Sequence, residues 1–229
     1  MSSVINTNVF SLQGQNAVRN TNSTLQTSLE RLSTGLRINS AKDDAAGLAI
    51  SNRLTTQIRG SEVAARNAND GISLAQTAEG AMGALTDTMQ RMRDLSVQAG
   101  NASNSKSDRD NLNEEFQQLK SELGRIIENT EFNNQKILAG SVDGALFQVG
   151  ANTSDDNQIS VTIGSLGASG DGIGALLDDG VSIGGSADQA DIMDAIDTID
   201  DSITTVDTAR AKLGSIQNRF EVTVDNLNN

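Results

Sequence analysis

Six aspartates crowd one short stretch: Asp188, Asp191, Asp194, Asp197, Asp200 and Asp201. Steps of three along a helix return to nearly the same side, so several of these carboxylates would share one edge. Such an edge could take a hard cation such as calcium, but a calcium loop also needs a sharp glycine turn. None accompanies these residues, and negative charge suits the opening of a helix because of the helix dipole. The stretch reads as the solvated start of a helix, with a cation edge as the alternative. Gly164, Gly167, Gly170, Gly172 and Gly174 raise a second chemistry, a cradle for phosphate. They form neither the GxxxxGK[ST] pattern nor a helix-opening GxGxxG, and no lysine lies among them, so they read as a flexible tip. A third constellation is MQRMRDLSVQ, residues 89–98. At helical spacing Met89, Met92 and Leu95 lean inward, while Arg91, Arg93, Asp94 and Gln98 face out. An arginine beside an apolar edge has the composition of an interface anchor, or of an ordinary solvated helix face.

Composition narrows the chemistry further. The 229 residues include no His and no Cys, which removes the commonest general base, thiolate nucleophiles, disulfides and thiolate metal sites together. No pocketed pair of carboxylates is evident for acid–base work, so the chain is not expected to be an enzyme or to hold a cofactor or metal. A net charge of −13 repels phosphate backbones and anionic lipid, which argues against nucleic-acid and membrane-surface roles. No apolar run approaches the roughly 18 residues of a membrane span. The opening MSSVINTNVF lacks the cationic segment and apolar run of a secretory signal.

The elements that carry these residues follow from periodicity. Only five aromatic residues, all Phe, are present, so Leu, Ile, Val, Met and Ala must build the core, which suits thin helical bundles. There is no Pro, so no helix is broken by a missing N–H. Leu25, Leu29, Leu32 and Leu36 step by four, three and four, the seam of a first helix or coiled coil. Gly35 and the polar RINSAKDD run interrupt it, and Ser40 with Asp43 resembles a capping box. Ala64, Ala68, Gly71, Ala75, Ala78, Met82, Leu85, Met89, Met92, Ser96 and Ala99 then alternate four and three without a slip. A helix over 44–99 would be about 80 Å long. Ser107 with Asp110 repeats the capping pattern, and Leu112, Phe116, Leu119, Leu123 and Ile126 mark a third helix ending near Asn129. FQVG and the alternating Ile159, Val161 and Ile163 read as short strands, with VSIGG as one more edge strand. From Ile192 to Leu227 a last helical face runs along the chain. The expected fold is mainly α, an elongated helical bundle or coiled coil with a small β-hairpin region. Its expected domains are an N-terminal arm, 1–40, and a rod-like helical domain, 41–229, with a β patch and Gly-rich tip at about 140–186.

LQTSLERLSTGLRINSAKDDAAGLAISNRL, followed by ANDGISLAQTAEGAM, closely resembles the N-terminal region of bacterial flagellin. LGSIQNRFEVTVDNLNN resembles the matching C-terminal stretch, and TEFNNQKILAG with FQVGAN the segment between. The resemblance implies a structural subunit of the flagellar filament, secreted to the cell exterior and self-assembling for motility. Its partners would be other flagellin subunits, the flagellar export apparatus, and cap and junction proteins. A hook–filament junction protein of the same superfamily is the alternative that the resemblance leaves open. It also implies recognition by the flagellin-sensing Toll-like receptor of animals, carried by Gln90, Arg91, Leu95, Gln98 and Glu115. Flagellins have a further terminal helix that packs on the N-terminal one. Without it, the seam of Leu25, Leu29, Leu32 and Leu36 would lack an intramolecular partner, leaving the arm loosely attached and assembly impaired. A Gly-rich centre in place of large outer domains implies a short form.

Overall fold

The computed structural model describes residues 8–167 and 172–228. Gly170, one of the glycines of the expected tip, and the first seven residues of the opening MSSVINTNVF lie outside the described residues. The elements run α1 (Val9–Thr34), α2 (Ala45–Ala99), α3 (Lys106–Asn129), β1 (Glu131–Phe132), β2 (Gln135–Lys136), β3 (Ala145–Gln148), a 3-10 turn (Asp155–Asn157), β4 (Gln158–Val161), α4 (Ile173–Leu177) and α5 (Gln189–Asn228). The protein is thus mainly α, with long helices and two small antiparallel hairpins. It divides into two units between Ile58 and Arg59, inside α2.

In the first unit, Asn8 opens α1 by accepting from the Ser11 N–H at 3.2 Å. Gly35 closes it with φ 68°, in the left-handed region that glycine enters without penalty, and its N–H donates to the Arg31 carbonyl. Leu36 therefore lies beyond the helix rather than in its seam. No residue of α1 is buried. The pattern Ser40–Asp43 closes a turn instead of opening a helix. The Asp43 carboxylate accepts from the Asn39 and Ser40 N–H groups and from the Ser40 hydroxyl, which holds its pKa below the ordinary carboxylate value. The residue that caps α2 is Asp44, whose Oδ1 accepts from the Gly47 N–H at 2.7 Å.

In the second unit the long seam of α2 is buried at all eleven expected positions. Three links show that α5 runs antiparallel to α2: Glu79 with Gln217, Arg93 with Asp200, and the Gly100 carbonyl with Gln189. The small residues in the first half of the seam let α5 come close. At Gly71 an added Cβ would stand 2.6 Å from Phe220 Cζ. Phe220 is itself buried and meets Phe147 edge-on, with ring centroids 5.6 Å apart. Further along, Met82, Leu85, Met89 and Met92 join Phe116, Leu123 and Ile127 of α3 and Ile192, Ile199 and Val206 of α5 in one continuous core.

The cap of α3 sits two residues earlier than the spacing of Ser107 and Asp110 suggests. Ser105 and Asp108 form a reciprocal capping box: the Ser105 Oγ accepts from the Asp108 N–H, and Asp108 accepts from the Ser105 N–H. The Ser105 hydroxyl also donates to the Asp108 carboxylate at 2.7 Å, and this bond, with that from the Ser105 N–H, keeps the Asp108 pKa below its usual value. β1 and β2 turn through Asn133 and Asn134, both with positive φ, which asparagine tolerates better than most residues. β3 pairs with β4 in the register Ala145 to Val161 and Phe147 to Ile159. Ile159, Val161 and Ile163 point into the core, as their period of two requires. VSIGG is not a strand; its backbone is held by side chains of α3. Within the expected loop the structure places α4, with Ile173 and Leu176 buried.

Candidate interaction surfaces

The last turns of α2 present a face bounded by two ion pairs. Toward α3, Arg91 donates through Nε and one terminal nitrogen to Glu115 Oε1, at 2.9 and 2.7 Å. Toward α5, Arg93 makes a two-pronged contact with Asp200, Nε to Oδ1 at 2.6 Å and a terminal nitrogen to Oδ2 at 3.1 Å. Both pairs are substantially exposed, with side-chain exposures of 53% and 45% for the first, so each contributes little to stability. What they do is fix two guanidinium planes on the surface. Helical geometry explains their separation: Arg91 and Arg93 are about 200° apart around the axis, one on each flank. Gln90, Asp94, Val97 and Gln98 occupy the exposed arc between.

Of the five residues implied in receptor recognition, Gln90, Arg91, Gln98 and Glu115 are exposed on this face or its α3 border. Leu95 is placed differently. It is 1% exposed and belongs to the core, so its side chain supports the face from below and offers a partner no contact area. The apolar side chain that the surface does present is Val97, 53% exposed, one helical turn beyond Arg93. Exposed valines are too common to be picked out from sequence.

The aspartate series separates into distinct jobs. Asp188 accepts from the Ala190 and Asp191 N–H groups, and Asp191 accepts in return from the Asp188 N–H, which together cap α5. Asp200 is committed to Arg93. Among the described residues no group of three or more potential ligands is placed to hold a metal ion. A groove of about 470 Å³ between residues 162–166 and α5 is lined by Ile163, Leu166, Ala209 and Leu213, with Lys212 as its charged group.

In the first unit Leu25, Leu29 and Leu32 stand exposed along α1, at 54%, 56% and 82%, with Leu36 exposed after it. Ile50, Leu54 and Ile58 on the first turns of α2 are exposed as well. Isolated exposed leucines need no explanation, but a regular series with no buried counterpart on the same helix does.

Residues 5–143 match the family model for the bacterial flagellin N-terminal helical region, and residues 196–229 match the model for the C-terminal helical region. A flagellin of Halalkalibacterium halodurans is 44% identical over 221 residues, covering 95% of this chain and 78% of that protein. The chain belongs to the bacterial flagellin family. Flagellins form a structural family, not an enzymatic one. Polar flagellin B/D of Vibrio parahaemolyticus is 56% identical over 151 residues, which are 66% of this chain but 40% of that flagellin. The crystal structure of Bacillus cereus flagellin superposes with a TM-score of 0.59 at 27% identity, over 71% of this chain and 88% of that one. A Vibrio parahaemolyticus protein assigned as flagellar hook-associated gives a TM-score of 0.68 at 14% identity, over 82% of this chain and 94% of that one, a likeness of fold alone. The two family regions leave residues 144–195 between them, the stretch that holds β3, β4, α4 and the start of α5.

Proposed function

We propose that this flagellin is a structural subunit of the extracellular flagellar filament, and that the face around Arg91 is a ligand for the flagellin-sensing Toll-like receptor of animals. The observation that carries the first part is the first unit: α1 buries none of its residues, yet sets Leu25, Leu29 and Leu32 in one row. Helix stability in water comes mainly from packing an apolar face, and other copies of the same chain can supply that cover. A contact between two different faces of identical subunits repeats without closing, which gives an open helical polymer. The arm, with Leu36 at its end, is the self-assembly element in this reading; export machinery and cap proteins are its partners on the way. The receptor reading is supported by the paired Arg91 and Glu115, held at the surface beside Gln90 and Gln98.

One experiment with two arms tests both parts. The chain is incubated with sheared seed filaments of a flagellin and sedimented, then examined by electron microscopy. Wild type should add to the seeds, though less readily than the seed flagellin itself, while Leu29→Asp with Leu32→Asp should remain in the supernatant. Equal pelleting of the two would overturn the assembly reading. In a receptor-signalling assay on soluble chain, Arg91→Asp should raise the half-maximal dose by roughly 30-fold, the scale of losing a hot-spot arginine. An unchanged dose would reject the receptor face without touching the filament reading.

A further inference from the structure

One flank of α3 is polar and borders its buried row of Phe116, Leu123 and Ile127. Arg109, Asp110, Asn113, Gln117 and Lys120 step along it at helical spacing, and all five reach the same segment, residues 178–187. Lys120 Nζ donates to the Asp178 carbonyl. Gln117 donates to the Val181 carbonyl at 3.2 Å. Asn113 Oδ1 accepts from the Ile183 N–H and the Ser182 hydroxyl, each at 3.1 Å. Asp110 Oδ1 accepts from the Gly185 N–H at 2.7 Å, and Arg109 donates to the Ala187 carbonyl at 3.2 Å. The segment therefore runs antiparallel to α3, gripped almost entirely by its main chain. Glycine makes the grip possible. A Cβ on Gly185 would stand 2.8 Å from the Lys106 carbonyl oxygen and 3.0 Å from Asp110 Oδ1.

We propose that residues 178–187 form a strap that opens from α3 as a unit while the helices stay packed. The strap has no strand partner: among the described residues β1 pairs with β2 and β3 with β4. Its bonds to α3 can be released by side-chain rotation, with no helix hydrogen bond broken. Gly180, Gly184 and Gly185 give the released chain more freedom than other residues would, which favours the open form. Against this stand two buried side chains, Ile183 and the small Ala187, with Val181 half-buried beside them. A segment with few apolar anchors and a backbone held by side chains belongs to the low end of local stability. Opening uncovers a row of donors and acceptors spaced to hold an extended main chain, a face that the closed strap occupies in cis.

Native-state hydrogen exchange on the full chain tests this. The Ile183 and Gly185 amides are compared with those of Met89 and Met92 in the α2 seam. The strap amides should exchange at least about tenfold faster and keep that rate in low urea, as local opening does, while the α2 amides follow the urea dependence of global unfolding. Asn113→Ala should raise the Ile183 rate and leave the α2 rates unchanged. Strap amides that match α2 in rate and in urea dependence would overturn the proposal, and so would an Asn113→Ala effect equally large on both. The wild-type comparison decides the matter even if that variant folds poorly.

Discussion

Replacing Gly71 by Ala isolates the contact that sets how closely α2 and α5 approach. Two effects oppose each other. Alanine is favoured over glycine in a helix interior by about 1 kcal/mol. The new methyl, however, would meet three atoms of the Phe220 ring at 2.6, 2.9 and 3.0 Å. Rotating the ring offers little relief, since three of its atoms are involved at once and Phe147 stands edge-on against it at 82°. Phe220 is 0% exposed, so it has no solvent side to retreat to. Overpacking of this kind costs about 1–3 kcal/mol, so the net effect of Gly71→Ala runs from neutral to about 2 kcal/mol destabilising. Gly80 on the same helix is the matched control, with nothing within 4 Å of an added Cβ. Gly80→Ala should stabilise by about 1 kcal/mol, which for a unit of this size raises the melting temperature by about 2–4 °C. Urea unfolding followed by far-ultraviolet circular dichroism reads both variants. If Gly71→Ala stabilises as much as Gly80→Ala, the ring does not rest on Gly71 and the account of this interface is wrong. Adding Phe220→Leu should cost less in the Gly71→Ala background than in wild type, since the two sites share the contact.

Stability should also rise on the alkaline side. Burial pushes the Lys120 pKa below 10.5, opposed in part by Asp179 and Asp178. Between that lowered value and 10.5 the folded chain has lost the proton while the unfolded chain keeps it, so stability increases with pH through this window. With no His, Cys or Tyr in the chain, few other groups obscure the effect; urea midpoints that stay level as pH rises toward 10.5, or that rise equally in Lys120→Met, would contradict it. At the β1–β2 turn, Asn134→Val should destabilise by about 1–2 kcal/mol, because a β-branched residue is forced to φ 61°. Asn134→Gly should be tolerated, and thermal unfolding of the pair checks the difference.

Sequence periodicity was a good guide wherever a seam met another seam. From Ala64 to Ala99 the four–three rhythm is long enough that only one helical face satisfies it, and that face is buried throughout. Capping was harder to read because the signals overlap. SKSDRD contains two Ser-x-x-Asp patterns offset by two residues, and the earlier one opens the helix. That choice leaves Asp110 available to the Gly185 N–H, a link that depends on residues 75 apart in the chain. VSIGG looked like a strand for a related reason: its backbone needs partners, but side chains of a helix provide them rather than a neighbouring strand. Leu95 shows the limit at the surface. Its spacing places it toward the core, and the structure buries it, so the face around Arg91 is more polar than the family resemblance implies.

The Phe147–Phe220 pair has a practical consequence. A chain without Trp or Tyr absorbs in the near-ultraviolet through its five Phe rings alone. Two of those rings are locked at nearly a right angle where α5 lies against the β3–β4 hairpin. Their fine structure is therefore an optical gauge, built into the native chain, of whether hairpin and helix are still seated together.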